Sequence, residues 1–186
     1  MTALVPRLLA PGVVPLSELL ALCLDGQLYR VGNAFATLDT PESSALRAQA
    51  FAVSAPRATI ADRGTAAWIH GTRAAPPYRL QVCVETGHRG SRLPPDVDGR
   101  ECALAPEDTV LLGGERVTSP ARTAMDLLLT EKRFGPEQVE ESCYLLELSG
   151  HEPEAVRRRL AARPRPGSAR GLKRLQRVSA RWLSLR

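Results

Sequence analysis

Val117-Thr-Ser-Pro-Ala-Arg-Thr-Ala-Met-Asp-Leu-Leu-Leu129 reads as a strand end running straight into a capped helix. Ser119 takes the N-cap, where its hydroxyl can accept a free backbone N–H. Pro120 follows at the first helical position, where no N–H is needed. Ala121, Ala124, Met125, Leu127, Leu128 and Leu129 then supply good helix formers on a broad apolar face. Arg122 and Asp126 lie four apart and can pair across one turn.

Working outward, the chain changes character at this point. After Ser119 the spacing predicts helices at about 120–131, 136–148, 153–162 and 169–184, separated by Gly135, Gly150 and Pro164-Arg-Pro-Gly167. Before it, short strands alternate with short helices. Thr109–Leu112 and Glu115–Thr118 flank the two-residue turn Gly113-Gly114. Tyr78 to Glu85 alternates apolar with polar residues and reads as a half-buried strand. Arg100–Leu104 is a further strand candidate, reached by a long loop from Thr86 that carries His88, Arg89 and Arg92. Ala58–Ile60 is a short strand before a helix at 63–70, capped by Asp62 and stopped at Gly71. His70 ends that helix, where the helix dipole favours its charged form.

The amino-terminal part holds a helix at 16–24, with Leu16, Leu19, Leu20 and Cys23 on one side. A strand at 27–31, a Gly32-Asn33 turn and a strand at 34–38 follow. A helix then a small hairpin is the second half of a winged helix. Asp39 to Ser43 reads as a linker, and a helix starts at Ser44. The expected fold class is α+β. It comprises a partial winged-helix-like unit over 1–43, a central mixed α/β domain with a small sheet over 44–150, and a basic helical segment over 151–186.

The charge is divided unevenly. Residues 1–150 carry 14 basic and 18 acidic residues, a balance of −4, whereas residues 151–186 carry 11 basic and 2 acidic, a balance of +9. Such asymmetry bears on partners, not on fold. Only two of the 25 basic residues are lysine, Lys132 and Lys173, an arginine excess that codon bias also produces. Aromatic residues make up 4% of the chain, too few for extended base-stacking platforms. No apolar run reaches membrane-spanning length, and no secretory leader is evident. Cys23, Cys83, Cys102 and Cys143 are scattered, as are His70, His88 and His151. The expectation is therefore a cytoplasmic protein with reduced, packed thiols, no metal and no cofactor.

Three stretches carry a family resemblance. Val117 to Asp126 resembles the signature of AbiEi-type antitoxins, especially actinobacterial ones. Ile60-Ala-Asp-Arg-Gly-Thr-Ala-Ala-Trp-Ile-His-Gly71 is similar to a second block of that family, with Asp62 standing where the pattern usually has serine. Leu24-Asp-Gly-Gln-Leu-Tyr-Arg-Val-Gly-Asn-Ala-Phe35 looks like the family's winged-helix hairpin. The blocks occur in the family's order and span roughly 16–130. The resemblance implies a non-catalytic antitoxin and DNA-binding autorepressor of a type IV toxin–antitoxin operon used in phage defence. The implied partners are its own promoter and a nucleotidyltransferase-like toxin. Two departures stand out. The helix at 16–24 has Glu18 and no basic residue, unlike a helix that reads bases. Many relatives also continue into a Vsr-like endonuclease domain, and this chain has no acidic residue after Glu154. A protein-interaction scaffold without DNA binding is the alternative.

The candidate nucleic-acid contacts are Arg30 and Asn33 on the presumed wing, Arg157, Arg158 and Arg159, and the stripe Arg170, Lys173, Arg174, Arg177 and Arg181. That stripe is expected to face outward while Leu172, Leu175, Ser179 and Trp182 face the body. About five such groups on phosphates would give a log–log salt slope of roughly −4 to −5. A solvated face is the competing reading. Asp62, Ser119, Arg122 and Asp126 read as structural, the first two as caps and the second two as a pair. Arg89 and Arg92 are loop arginines that could touch a partner. No nucleophile has a visible base, so no enzyme is expected.

Overall fold

Asp25 and Gly26 end α1 (Leu16–Leu24) and send the chain into a hairpin of β2 (Leu28–Val31) and β3 (Ala34–Thr37). In the computed structural model, which describes residues 8–87, 93–162 and 164–185, β1 (Leu8–Leu9) joins this hairpin. All pairings are antiparallel and the strand order is β1-β3-β2. At two residues β1 is too short for alternation to reveal, and the sequence reading missed it. Leu19, Leu28 and Phe35 form a small core under α1. The sheet covers α1 from one side only, so Leu16, Leu20 and Leu24 are 51%, 45% and 89% exposed. The expected packing of Leu16 and Leu20 beside Leu19 is thereby corrected.

The hairpin also contributes to the main core. Val31, Ala34 and Ala36 pack with Leu46 and Phe51 of α2 (Ser44–Ala52) and Ala66, Trp68 and Ile69 of α3 (Arg63–Ile69). These in turn cover a five-stranded mixed sheet. Its strands are β4 (Ile60–Ala61), β5 (Gln81–Glu85), β6 (Asp98–Cys102), β7 (Thr109–Leu112) and β8 (Glu115–Thr118), in the order β6-β5-β4-β8-β7. β4 runs antiparallel to β5 and parallel to β8, β5 runs parallel to β6, and β7 runs antiparallel to β8. β5 is buried on both faces rather than half-buried. Val82 enters the main core, while Cys83 packs with Ile60, Cys102 and Leu104 on the opposite face. A strand between two neighbours with both faces covered loses its polar side.

Four helices complete the fold: α4 (Pro120–Thr130), α5 (Pro136–Ser149), α6 (Pro153–Ala162) and α7 (Ser168–Ser184). Every residue of α4 from Ala121 to Leu129 is buried, so α4 is the centre of the second core. Leu128 and Leu129 meet Leu145 and Leu146 of α5, Val156 and Leu160 of α6, and Leu175 and Val178 of α7. Gly171 lets α7 approach closely, since a Cβ there would stand 2.9 Å from Leu129 Cδ2. The protein is thus α+β, and among the described residues no helix is long and apolar enough to cross a membrane.

Candidate functional site

The two capped helices singled out in the sequence are joined by a buried chain of alternating charges. Asp62 caps α3 by accepting the Arg63 backbone N–H at 2.7 Å. Its carboxylate also receives Arg100 of β6, Nε at 2.6 Å and Nη2 at 2.9 Å, and Arg63 Nε at 3.2 Å. Arg63 extends the chain outward, donating to Asp98 Oδ2 at 3.0 Å and to the Asp98 carbonyl at 2.7 Å. Those bonds hold Arg63 at φ +45°, a left-handed conformation that costs a non-glycine residue about 1–3 kcal/mol. Inward, Arg100 Nη2 lies 3.0 Å from Asp126 Oδ2. Arg122 then donates Nε to Asp126 at 2.7 Å and Nη1 to Asp108 at 2.7 Å. Arg159 of α6 closes the chain on Asp108 Oδ1 at 2.5 Å. Four aspartates and four arginines alternate, so the charges cancel.

Ser119 caps α4 as expected, accepting the Arg122 N–H at 3.4 Å. The Arg122–Asp126 pair also forms as expected, with both side chains only 1% exposed. Nothing local in the sequence signalled Asp98, Arg100 and Asp108, which arrive from other elements, whereas Arg63 is the neighbour of Asp62 in sequence. Burial and the nearby Asp62 charge push the Asp126 carboxyl above its usual value, and its Oδ1 has no hydrogen-bond partner among the described residues. Asp108 goes the other way. Burial opposes its charge, but the Ala105 N–H, Arg159 and Arg122 outweigh that and hold it below the ordinary carboxylate value.

His70 caps the end of α3, but not as a cation. Its Nε2 lies 2.7 Å from the Thr118 carbonyl, and burial lowers its pKa against the opposing pull of that bond. A neutral ring donating Nε2–H fits this geometry. Among the described residues one cluster has metal-ligand residue types: Asp62, Cys83 and Cys102 have ligand atoms within 4.8 Å of one another. Asp62 already accepts four N–H groups, and the Arg100 guanidinium lies against it. Both features work against a cation.

The ten candidate nucleic-acid contacts divide by what neutralises them. Arg157 is ion-paired with Glu154 and Arg181 with Glu140, while Arg159 serves the buried chain. Arg170 and Arg174 instead donate to the Leu129 and Leu128 carbonyls at the carboxyl end of α4, and Arg174 also donates to the Glu131 carbonyl. Arg177 donates to the Phe134 carbonyl, and Arg174 and Arg177 both stack on the Phe134 ring. Arg174 is therefore half-buried against the body, where the sequence reading expected it to face outward. Carbonyls do not cancel charge. Burial first, then Arg170 and Arg177 nearby, lower the Arg174 pKa against the opposing charge of Glu131. Lys173 and Arg158 are exposed and make no hydrogen bond or ion pair among the described residues.

Arg30 and Asn33 lie elsewhere, at the hairpin turn. Arg30 Nε donates to the Gly32 carbonyl at 2.8 Å, and Asn33 Nδ2 donates to Ser54 Oγ at 3.2 Å. A Cβ on Gly32 would stand 3.1 Å from the Trp68 ring. The turn thus lies against α2 and α3, beside a groove of about 510 Å³ lined by Phe51, Trp68 and Tyr78 among others. Arg89 and Arg92, named above as possible partner contacts, lie outside the described residues, as does His88.

The sequence matches no known protein family and no curated protein. Among solved structures, the chain is similar to the RV2827C protein from Mycobacterium tuberculosis. That match has 18% identity and a TM-score of 0.48, and it covers 97% of this chain and 75% of the other.

Proposed function

We propose that the chain is a non-catalytic regulator of the AbiEi antitoxin type, which binds its own promoter and acts against a nucleotidyltransferase-like toxin. The observation that carries the DNA-binding part is the crowding of Arg170, Arg174 and Arg177 on α7. All three donate to neutral carbonyls, and among the described residues none of them forms a salt bridge with a carboxylate. With Lys173 and Arg158 they make five cations without a salt bridge among the described residues, Arg158 and Arg174 feeling only the longer-range charges of Glu154 and Glu131. Neutralising four or five phosphates gives a log–log salt slope of roughly −4. The antitoxin part rests on the resemblance, and it gains support from where the motif blocks meet. Asp62 from one block and Asp126 from the other are bridged by a single guanidinium, that of Arg100. The β1-β3-β2 sheet with α1 likewise fits a reduced winged helix.

The test is fluorescence anisotropy with a duplex from upstream of the gene, titrated between 50 and 200 mM salt. The expected result is salt-sensitive binding that weakens at least tenfold when Arg170, Arg174 and Arg177 are changed together to glutamine, with folding checked by circular dichroism. Absence of binding at the lowest salt would sink the DNA-binding reading.

One observation favours a second reading, a protein-interaction scaffold. α1 stands where a reading helix would, yet it has no basic residue and exposes Leu16, Leu20 and Leu24. Co-purification with the neighbouring gene product, lost in Leu20→Glu/Leu24→Glu while promoter binding is absent, selects that reading.

A further inference from the structure

We infer that Cys83 and Cys102 form a redox-active dithiol, closed to a disulfide by hydrogen peroxide and reopened by thiol reductants. The ladder sets the geometry. β5 and β6 run parallel, with Cys83 opposite Arg100 and Cys102 opposite Glu85. The two cysteines are therefore diagonal neighbours on one face of adjacent strands, and their Sγ atoms lie within 4.8 Å. Both are free thiols, packed against Ile60 and Leu104. Closing to the disulfide distance of about 2.05 Å takes side-chain rotation and a small approach of the strands. β6 is the edge strand of its sheet, with no strand on its outer side among the described residues, so it can make that approach.

The surroundings divide the work between the two sulfurs. The neighbouring Cys83 thiol and the Arg100 cation lower the Cys102 pKa, against burial and the nearby Asp62 and Asp126. The neighbouring Cys102 and burial push the Cys83 thiol up. Cys102 is 6% exposed and Cys83 fully buried, so Cys102, beside the Arg100 cation, is the sulfur a small oxidant meets. The Cys102 thiolate attacks one peroxide oxygen, the O–O bond breaks, and hydroxide leaves to take up the thiol's released proton. The product is a sulfenic acid. Cys83 then attacks that sulfur, the S–O bond breaks, and hydroxide departs as water with the Cys83 proton. Two thiols and one peroxide give one disulfide and two waters, with two electrons passing from sulfur to oxygen. A diagonal cross-link stores strain, and strained disulfides are the readily reduced ones.

Peptide mapping of the full chain tests this. Reduced protein is treated with hydrogen peroxide, its remaining thiols are blocked, and it is digested without reductant. The expected product is the Cys83 peptide linked to the Cys102 peptide, lighter by two hydrogens and released by dithiothreitol. In Cys83→Ser, Cys102 should be trapped by dimedone as the sulfenic acid. In Cys102→Ser, oxidation at Cys83 should slow at least tenfold. The inference is overturned if both thiols remain alkylatable after peroxide treatment that oxidises Cys23, or if they cross-link only to Cys23 or Cys143. Stoichiometric zinc retained by the reduced protein would also overturn it, making the pair a metal site. Should either variant fail to fold, the wild-type map decides alone.

Discussion

Arg122→Met tests the buried charge chain most directly. Arg122 is 1% exposed and holds Asp126 and Asp108 at 2.7 Å each. Removing it leaves Asp126 with Arg100 alone, and leaves Asp108 with Arg159 and the Ala105 N–H. Deleting one partner of a buried pair costs about 3–5 kcal/mol, because the other charge stays buried without compensation. For a chain of this length that lowers the melting temperature by about 6–20 °C, at roughly 2–4 °C per kcal/mol. Removing both charges is different. Arg122→Met/Asp126→Leu keeps the net charge, leaves Arg100 with Asp62, and fills the space with apolar atoms. Its expected cost is under about 2 kcal/mol, since replacing a whole buried pair is often neutral or better. Urea unfolding of the wild type, both single variants and the double variant gives the coupling energy, provided the m-values agree. A loss below about 1 kcal/mol for Arg122→Met, or additive single effects, would refute the reasoning.

Other outcomes follow from the same contacts. Arg174→Ala removes two carbonyl contacts and the stack on Phe134, and should cost about 1–3 kcal/mol; Lys173→Ala should stay within about 0.5 kcal/mol in the same thermal melts. Asp98 and Asp108 have carboxyl pKa values held below the ordinary 3.8. Their stabilisation is complete above that value and is lost as pH falls through the lower folded values. Arg159→Gln should therefore move the acid-unfolding midpoint of the protein to higher pH, and an unchanged midpoint counts against Asp108 as a contributor. His70 titrates below its ordinary 6.5, so its contribution is present above that value and declines as pH drops. In His70→Gln, urea midpoints between pH 7.5 and 5.5 should vary less than in the wild type. Gly113→Ala would drive a Cβ into the Ala45 carbonyl oxygen at φ +57°. A loss of about 2 kcal/mol or more is expected by urea titration.

What the sequence revealed depended on range. Asp62 and Ser119 as caps, the Arg122–Asp126 pair and the hairpins at Gly32 and Gly113 all depend on residues within a few positions, and all formed. The chain of charges did not declare itself, because Arg100 reaches Asp62 across 38 residues and Arg159 reaches Asp108 across 51. Arg100 looked like the start of a strand and Arg159 like one of three arginines offered to nucleic acid, with no periodicity marking either. The α7 stripe was legible as a stripe. Its surroundings were not, because the carboxyl end of α4 and Phe134 lie more than 40 residues away in sequence. The two-sided burial of β5 was hidden for a related reason. Cys83, Gln81 and Glu85 look like a polar face until Ile60 and Cys102 cover the middle of it.

The distances along the chain between these charges also bear on kinetics. Asp62, Arg100, Asp126 and Arg159 come from the cap of α3, β6, α4 and α6, so their links close only after those elements have been brought together. Contacts that form on the native side of the folding barrier leave the folding rate almost unchanged and slow its reversal. Arg100 and Arg159, whose partners lie far along the chain, are then expected to act as a brake on unfolding. They set how long one molecule stays intact, a lifetime that resistance to proteases would report more directly than any melting curve.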